Sequence, residues 1–237
     1  MNYIGGTHQT WSPTRLEEIR SGLIDGYHRI ADWGARHLAD FTGSLGDSIV
    51  DGALAAVTHA RPTWVPSSIA DELTGRRLPR CTTGDITEAG ESGLVVFESP
   101  VARTTLGDAQ PFGTAAVEGL LWWCADFDGH AFAVPTGDEP DALLVHPLSQ
   151  NLCSDAPWGA RVWESSPLTD LGMFLIPWLA DPRPPEHSRD DLAPAVRLLL
   201  GLGTAVAEGR VIFSDVGGGG SPARLPQPRT ASVLLAA

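Results

Sequence analysis

The chain has 237 residues, 43% of them hydrophobic, which is enough to bury a substantial core in one large domain or two small ones. Its 29 acidic residues outweigh 16 basic ones for a formal charge of −13, so a grip on a nucleic-acid backbone or a membrane surface is not expected. Every basic residue is an arginine; without lysine there is no Schiff-base amine, no phosphate-loop lysine and no kinase strand lysine, and those classes drop out.

Reading from the N-terminus, Ser12-Pro13 is a helix start: a serine cap followed by proline at the first helical position. Leu16, Ile19, Leu23, Tyr27, Ile30 and Leu38 then recur at three- to four-residue steps as one apolar face. Gly22, Gly26 and Gly34 weaken this helix, each by about 1 kcal/mol relative to alanine, so it is expected to survive by packing, with Gly34 as the place where it could break. A second short helix should run from Ser48 to His59 and stop at Arg61-Pro62. Residues 62–92 lose periodicity and read as a connector with one helical turn at Ile69 to Leu73. They carry the only short basic cluster, Arg76, Arg77 and Arg80, read as a solvated loop or helix end.

From Gly93 the pattern is that of strands. Gly93-Leu94-Val95-Val96-Phe97-Glu98 is a buried run limited by Pro100. Val117 to Ala125 and Ala131 to Pro135 flank Asp126-Phe127-Asp128-Gly129, a hairpin signal, because aspartate and glycine tolerate the left-handed conformation of tight turns. Ala142 to His146 and Arg161 to Glu164 extend the series to an antiparallel meander, and Leu171 to Leu179, broken by Pro177, belongs in the core as strand or short helix. After the proline-rich 181–185, a largely buried helix should begin near Ser188 and end at Gly209. Val211-Ile212-Phe213 then returns as an edge strand.

The resulting expectation is an α+β protein: a curved antiparallel sheet of about five strands, with the N-terminal helical segment and the late helix packed on one face. Its divisions are a helical segment over 1–61, a connector over 62–92, the sheet with the late helix over 93–216, and a flexible tail over 217–237.

Candidate chemistry concentrates in Trp122 to His130. Asp126, Asp128 and His130 have the residue types for a divalent metal, although Asp-x-Asp-Gly is favoured at a hairpin tip by turn geometry alone, and no metal or other cofactor is assigned. Cys124 with His130 or His146 is a possible nucleophile and base. Strand alternation puts Cys124 on the face of Glu118, Leu120 and Trp122, and a plain structural thiol is the stronger reading. His146 to Asn151 is either a polar ligand-binding rim or a loop that satisfies its own backbone, the latter being favoured. The three cysteines, Cys81, Cys124 and Cys153, are widely spaced and read as reduced thiols. With no apolar run near the roughly 20 residues that span a bilayer, the expectation is a cytoplasmic protein.

Tryptophan is abundant, with eight residues, and Trp122 and Trp123 are adjacent, so they cannot share one face of a strand. One of them is expected under a helix layer or in a contact surface. The leading functional expectation is a noncatalytic interaction or regulatory protein that meets a protein partner, or itself, through Trp122, Trp123, Trp158 and Trp163. The alternative is a hydrolase using carboxylates and histidine, drawn from Glu118, Asp126, Asp128, His130 and His146, with or without a divalent ion.

The lysine-free acidic composition, the Trp-bearing N-terminal helix, the strand Gly93 to Pro100 and the late leucine-rich helix together resemble uncharacterised proteins of actinobacteria and their phages. That resemblance implies a GC-rich bacterial or phage source and brings no activity with it.

Overall fold

A computed structural model describes residues 10–75, 92–105, 114–127, 131–133, 140, 142–150, 163, 166–171, 174–177, 194–209, 211–215 and 232–236. The fold is α+β, with N-terminal helices, a late helix and a central sheet that is mixed and open.

A 3-10 turn at Pro13–Arg15 leads into helix α1, Leu16–His37. The helix continues through all three glycines, because each faces packed atoms and not solvent: a Cβ on Gly26 would lie 2.1 Å from the Trp163 ring and one on Gly22 2.9 Å from Pro167. Helix α2, Leu45–His59, starts three residues earlier than the expected Ser48. Its start is a reciprocal cap, in which Ser44 Oγ accepts from Asp47 N at 3.2 Å and Asp47 Oδ2 accepts from Gly43 N at 2.8 Å.

The expected connector contains a strand. Strand β1, Pro62–Val65, is followed by α3, Ser67–Gly75, and β2, Ser92–Phe97. This is a β-α-β crossover, and β1 pairs parallel with β2, Pro62 opposite Leu94. Proline at the first residue of β1 is one of the few strand positions that tolerate it. Residues 76–91, with Arg76, Arg77 and Arg80, lie outside the described residues.

Strands β3, Ala102–Thr105, and β4, Thr114–Val117, form a separate antiparallel pair. The expected hairpin is present as β5, Gly119–Phe127, and β6, Phe132–Ala133, with Asp126 opposite Ala133. Strand β7, Ala142–Ser149, runs antiparallel to β5. Its other side pairs with β8, Thr169–Asp170, and β9, Phe174–Pro177, which together act as an interrupted edge strand. The strand expected at Arg161 to Glu164 lies outside the described residues except for Trp163, which is in a bend.

Helix α4, Pro194–Ala207, is the late helix. It stops at Gly209, whose φ of 64° is the left-handed closure common after helices. Strand β10, Val211–Asp215, pairs with β11, Ser232–Ala236. The end of the expected tail is therefore part of the sheet: β11 sits between β10 and β1, parallel to β1. Its short apolar run, Val233-Leu234-Leu235-Ala236, has strand character that the preceding glycines and prolines obscured. The glycine run 217–220 lies outside the described residues.

The sheet order β10-β11-β1-β2-β5-β7-β8 corrects the expected meander, since β1 is parallel to both neighbours. The helices also lie on both faces instead of one. Leu94, Val96, Leu121, Trp123 and Leu144 face α1 and α2, whereas Val95, Leu120, Trp122, Leu143 and Val145 face α3 and α4. Uninterrupted apolar runs in β2, β5 and β7 require this, because a strand without polar alternation has no face to give to water.

The adjacent tryptophans are resolved by the same sandwich. Trp122 lies over Gly93 in β2 and Trp123 over Gly52 in α2, with rings so close that a Cβ on either glycine would fall within 2.7 Å of them. Among the described residues no helix is long and apolar enough to cross a membrane.

Candidate functional site

Three residues distant in sequence converge on the α1 side of the sheet. In β7 His146 shares a face with Leu144 and Leu148, and Leu148 is opposite Asp170 of β8, so Asp170 lies diagonally from His146 on that face. Helix α1 covers the same face and lowers Tyr27 onto it. His146 Nδ1 is 2.6 Å from Asp170 Oδ2, and the Tyr27 hydroxyl donates to the same oxygen at 3.0 Å.

The network is enclosed by aromatic rings. Trp123, diagonal to His146 across the β5–β7 register, stacks on the imidazole with centroids 4.7 Å apart and planes 28° apart. Tyr27 meets His146 edge-on at 6.5 Å and Trp163 edge-on at 5.3 Å. His146 is 2% exposed and the Asp170 side chain 11%.

Burial is the largest influence on Tyr27, followed by the charge of Asp170 and the hydrogen bond to it; all three hold the phenol well above its ordinary range. Tyr27 is thus a fixed donor. Asp170 Oδ2, which already receives that donor, is the acceptor for the imidazole, and this arrangement assigns the proton to Nδ1. In the neutral ring the lone pair then lies on Nε2. That atom is buried and has no hydrogen-bond partner among the described residues. An unpaired buried polar atom costs about 1–3 kcal/mol, so a bare Nε2 is an expensive feature for a core to retain.

The sequence-derived candidates fare differently. Cys124 is buried with Leu120 and Trp122 on the α3–α4 side, so the sheet separates it from His146 and the pairing of those two as nucleophile and base is corrected. The strand alternation that put Cys124 with Leu120 and Trp122 matches. Glu118 is fully buried at the break between β4 and β5, where it accepts from Gln150 N at 2.5 Å and Gln150 Nε2 at 2.6 Å. Gln150, from the expected rim, is thus a hydrogen-bond partner of Glu118, while Asn151 lies outside the described residues. Asp126 lies in β5 opposite Ala133, while Asp128 and His130 are outside the described residues. Among the described residues no group of three metal-ligating side chains is present.

Trp122, Trp123 and Trp163 are only 3%, 6% and 5% exposed, which corrects the expectation that they form a contact surface; Trp158 is outside the described residues. Their burial follows from helices on both faces, which leave the sheet no solvated side.

Asp170 and Tyr27 were not legible as site residues. Tyr27 reads as one member of an apolar stripe. Its hydroxyl was the available signal, since a buried phenol needs a partner. Asp170 is a single acid between Leu168 and Leu171, and an acid so placed is buried only with a donor.

No family model matches the chain, and neither a curated protein nor a solved structure matches it.

Proposed function

We propose that this chain is a hydrolase of the acid–base type, in which His146 takes a proton from an attacking water or hydroxyl, Asp170 holds the imidazole in the tautomer with Nε2 bare, and Tyr27 holds Asp170. The observation that carries the reading is the combination at His146 of an anchored Nδ1, 2.6 Å from Asp170, and an unpartnered buried Nε2. A base oriented by a carboxylate through its far nitrogen is the general requirement for proton abstraction at the near one. As the proton moves to Nε2 the ring becomes cationic. Asp170 and the stacked face of Trp123 both stabilise that charge.

The test is turnover of a panel of chromogenic carboxylic, phosphate and glycosidic esters by the wild-type protein and His146→Gln, with circular dichroism to show that both are folded. The reading expects at least one ester hydrolysed by the wild type and a loss of about 100-fold or more in the variant. Turnover by neither protein, or equal turnover by both, removes it.

One observation favours a second reading, the noncatalytic interaction protein that the sequence suggested. Leu38 and Leu45, 46% and 42% exposed, are the two exposed large apolar side chains among the described residues, and both flank the turn between α1 and α2. Trp33 is half-buried five residues before Leu38 and stacks on His37. In this reading that end of the helical pair, and not Trp122, Trp123 and Trp163, meets the partner. Concentration-dependent light scattering of the wild type and Leu38→Ser/Leu45→Ser separates the two, because only this reading expects self-association that the double variant abolishes.

A further inference from the structure

In the proposed hydrolase Asp170 must stand on the same side of the sheet as His146, and the two halves of the edge strand differ on where that residue belongs. Strand β9 pairs Phe174 with Val145, and β8 pairs Asp170 with Leu148. Between Val145 and Leu148 lie two residues, His146 and Pro147, whereas three, 171–173, lie between Asp170 and Phe174. The two ladders are therefore one residue out of step at His146. Had β8 continued the ladder of β9, Leu171 would stand opposite Leu148. Asp170 would then be opposite Ser149, with the sheet between it and the imidazole.

Apolar patterning, which ordinarily fixes a register, is even-handed here. The observed register puts Leu168 and Asp170 on the α1 face and the other would put Thr169 and Leu171 there, so each gives that face one leucine. The backbone is short of a bond at the same point: Leu171 N donates to Pro147 O at 3.0 Å, but Pro147 has no N–H to return. The side chain of Thr169 does distinguish the two. Its Oγ1 donates to Ser149 O at 2.9 Å, with both residues buried, while Thr169 stands opposite Ser149. In the other register it would stand opposite Gln150 and turn to the α1 face, and that bond would be lost. The contacts of Asp170 with His146 and Tyr27 also belong to the observed register, but they are the constellation to be positioned. Thr169 lies outside it, on the other face of the sheet.

We infer that Thr169 is a positioning residue of the His146 site: its hydrogen bond to the Ser149 carbonyl holds β8 in the register, one residue out of step with β9, that brings Asp170 to the imidazole's side of the sheet. This rests on the reading of His146 as the base, but its test needs no substrate. Thr169 acts on the histidine only through Asp170, and a one-residue irregularity in a ladder is a recurrent means of re-aiming a side chain beside a site.

The register is read from nuclear Overhauser spectra of the isotope-labelled full chain. Glu118 N donates to Leu148 O, so the polar groups of Leu148 turn to the β5 side, and its pairing with Asp170 is of the close, non-hydrogen-bonded kind whose α-protons give a strong cross-peak. The wild type should show the Leu148–Asp170 peak. Thr169→Val, which keeps the bulk and loses the hydroxyl, should weaken it and bring in a Leu148–Leu171 peak. The ratio of Nδ1- to Nε2-protonated imidazole at His146 should fall with it, by about fivefold or more. Thr169→Ser should retain the wild-type pattern, and Thr169→Ala stands in if Thr169→Val does not fold. Arg20→Met, which loosens the protein away from β8, should leave both readouts unchanged. The role of Thr169 is overturned if the wild type shows the Leu148–Leu171 peak in place of Leu148–Asp170, or if folded Thr169→Val or Thr169→Ala keeps the wild-type pattern. It is equally overturned if Thr169→Ser or Arg20→Met loses that pattern as Thr169→Val does, since packing or general loosening would then explain the effect. None of these outcomes depends on whether an ester is hydrolysed, so a failed positioning role and a failed hydrolase are told apart.

Discussion

Tyr27 and Asp170, separated by 143 residues, meet at 3.0 Å, and their contact fixes α1 to the sheet edge and the imidazole of His146 in one orientation. The phenol is held above its ordinary range by burial first and by Asp170 second. A folded-state value raised above the unfolded value, near 10 for tyrosine, gives stability that is fully present below about pH 10 and is lost as pH rises through the folded value. The wild type should therefore lose stability above about pH 10, and Tyr27→Phe should lose less over the same interval while being less stable at pH 7 by about 1–2 kcal/mol. Urea melts of both proteins between pH 7 and 11 check this.

Asp170→Asn keeps the shape of the side chain and removes its charge. A carboxamide can present its NH2 to Nδ1, which would turn the lone pair inward and place the proton on Nε2. Ester hydrolysis should fall by about 100- to 10,000-fold with the far-ultraviolet spectrum unchanged. Steady-state kinetics on whichever ester the wild type turns over provides the measurement.

Arg20 is 7% exposed and its guanidinium closes the C-terminal carbonyls of α2 at Val57 and Thr58. Arg20→Met preserves much of the apolar stem and leaves those carbonyls unpaired beneath α1. A loss of about 2–4 kcal/mol is expected, visible in thermal or chemical melts.

Gly93 gives way to the Trp122 ring, which would lie 2.0 Å from a Cβ there. Gly93 is paired with Trp122 of β5 and precedes Leu94, where pairing with β1 begins, so its backbone has little room to retreat. Gly93→Ala should cost about 3 kcal/mol or more and be among the most damaging single-methyl additions in the chain, as a melt would show.

Local signals made much of the fold legible. The apolar stripe of α1, the pairing of β5 with β6, the β2 run and the Gly209 stop each depend on a few neighbouring residues and appear where the sequence puts them. Pairings that depend on distant chain were hidden. Strand β1 opens with a proline and has only four residues, and β11 follows a glycine- and proline-rich stretch, so neither announces that it will lie parallel in the middle of a sheet. The glycines of α1 illustrate the limit most plainly: composition marks Gly26 as a weak point, and only Trp163, arriving from far along the chain, shows it to be a seat. The site divided in the same way. His146 was identifiable as a histidine closing an apolar run, although β7 continues past it to Ser149, whereas Asp170 and Tyr27 acquire meaning only through the β7–β8 register and the docking of α1.

The placement of the proton on the His146 ring tests the central claim most directly. Two-bond proton–nitrogen correlation spectra of uniformly 15N-labelled protein, with His146→Gln to assign the ring, report which nitrogen is protonated in the neutral imidazole. The account predicts a protonated Nδ1 facing Asp170 and a bare Nε2, with the preference reduced in Asp170→Asn. A proton on Nε2 and a bare Nδ1 in the wild type would contradict it, for Asp170 would then be the donor in the 2.6 Å contact and His146 would have no lone pair to offer a reactant.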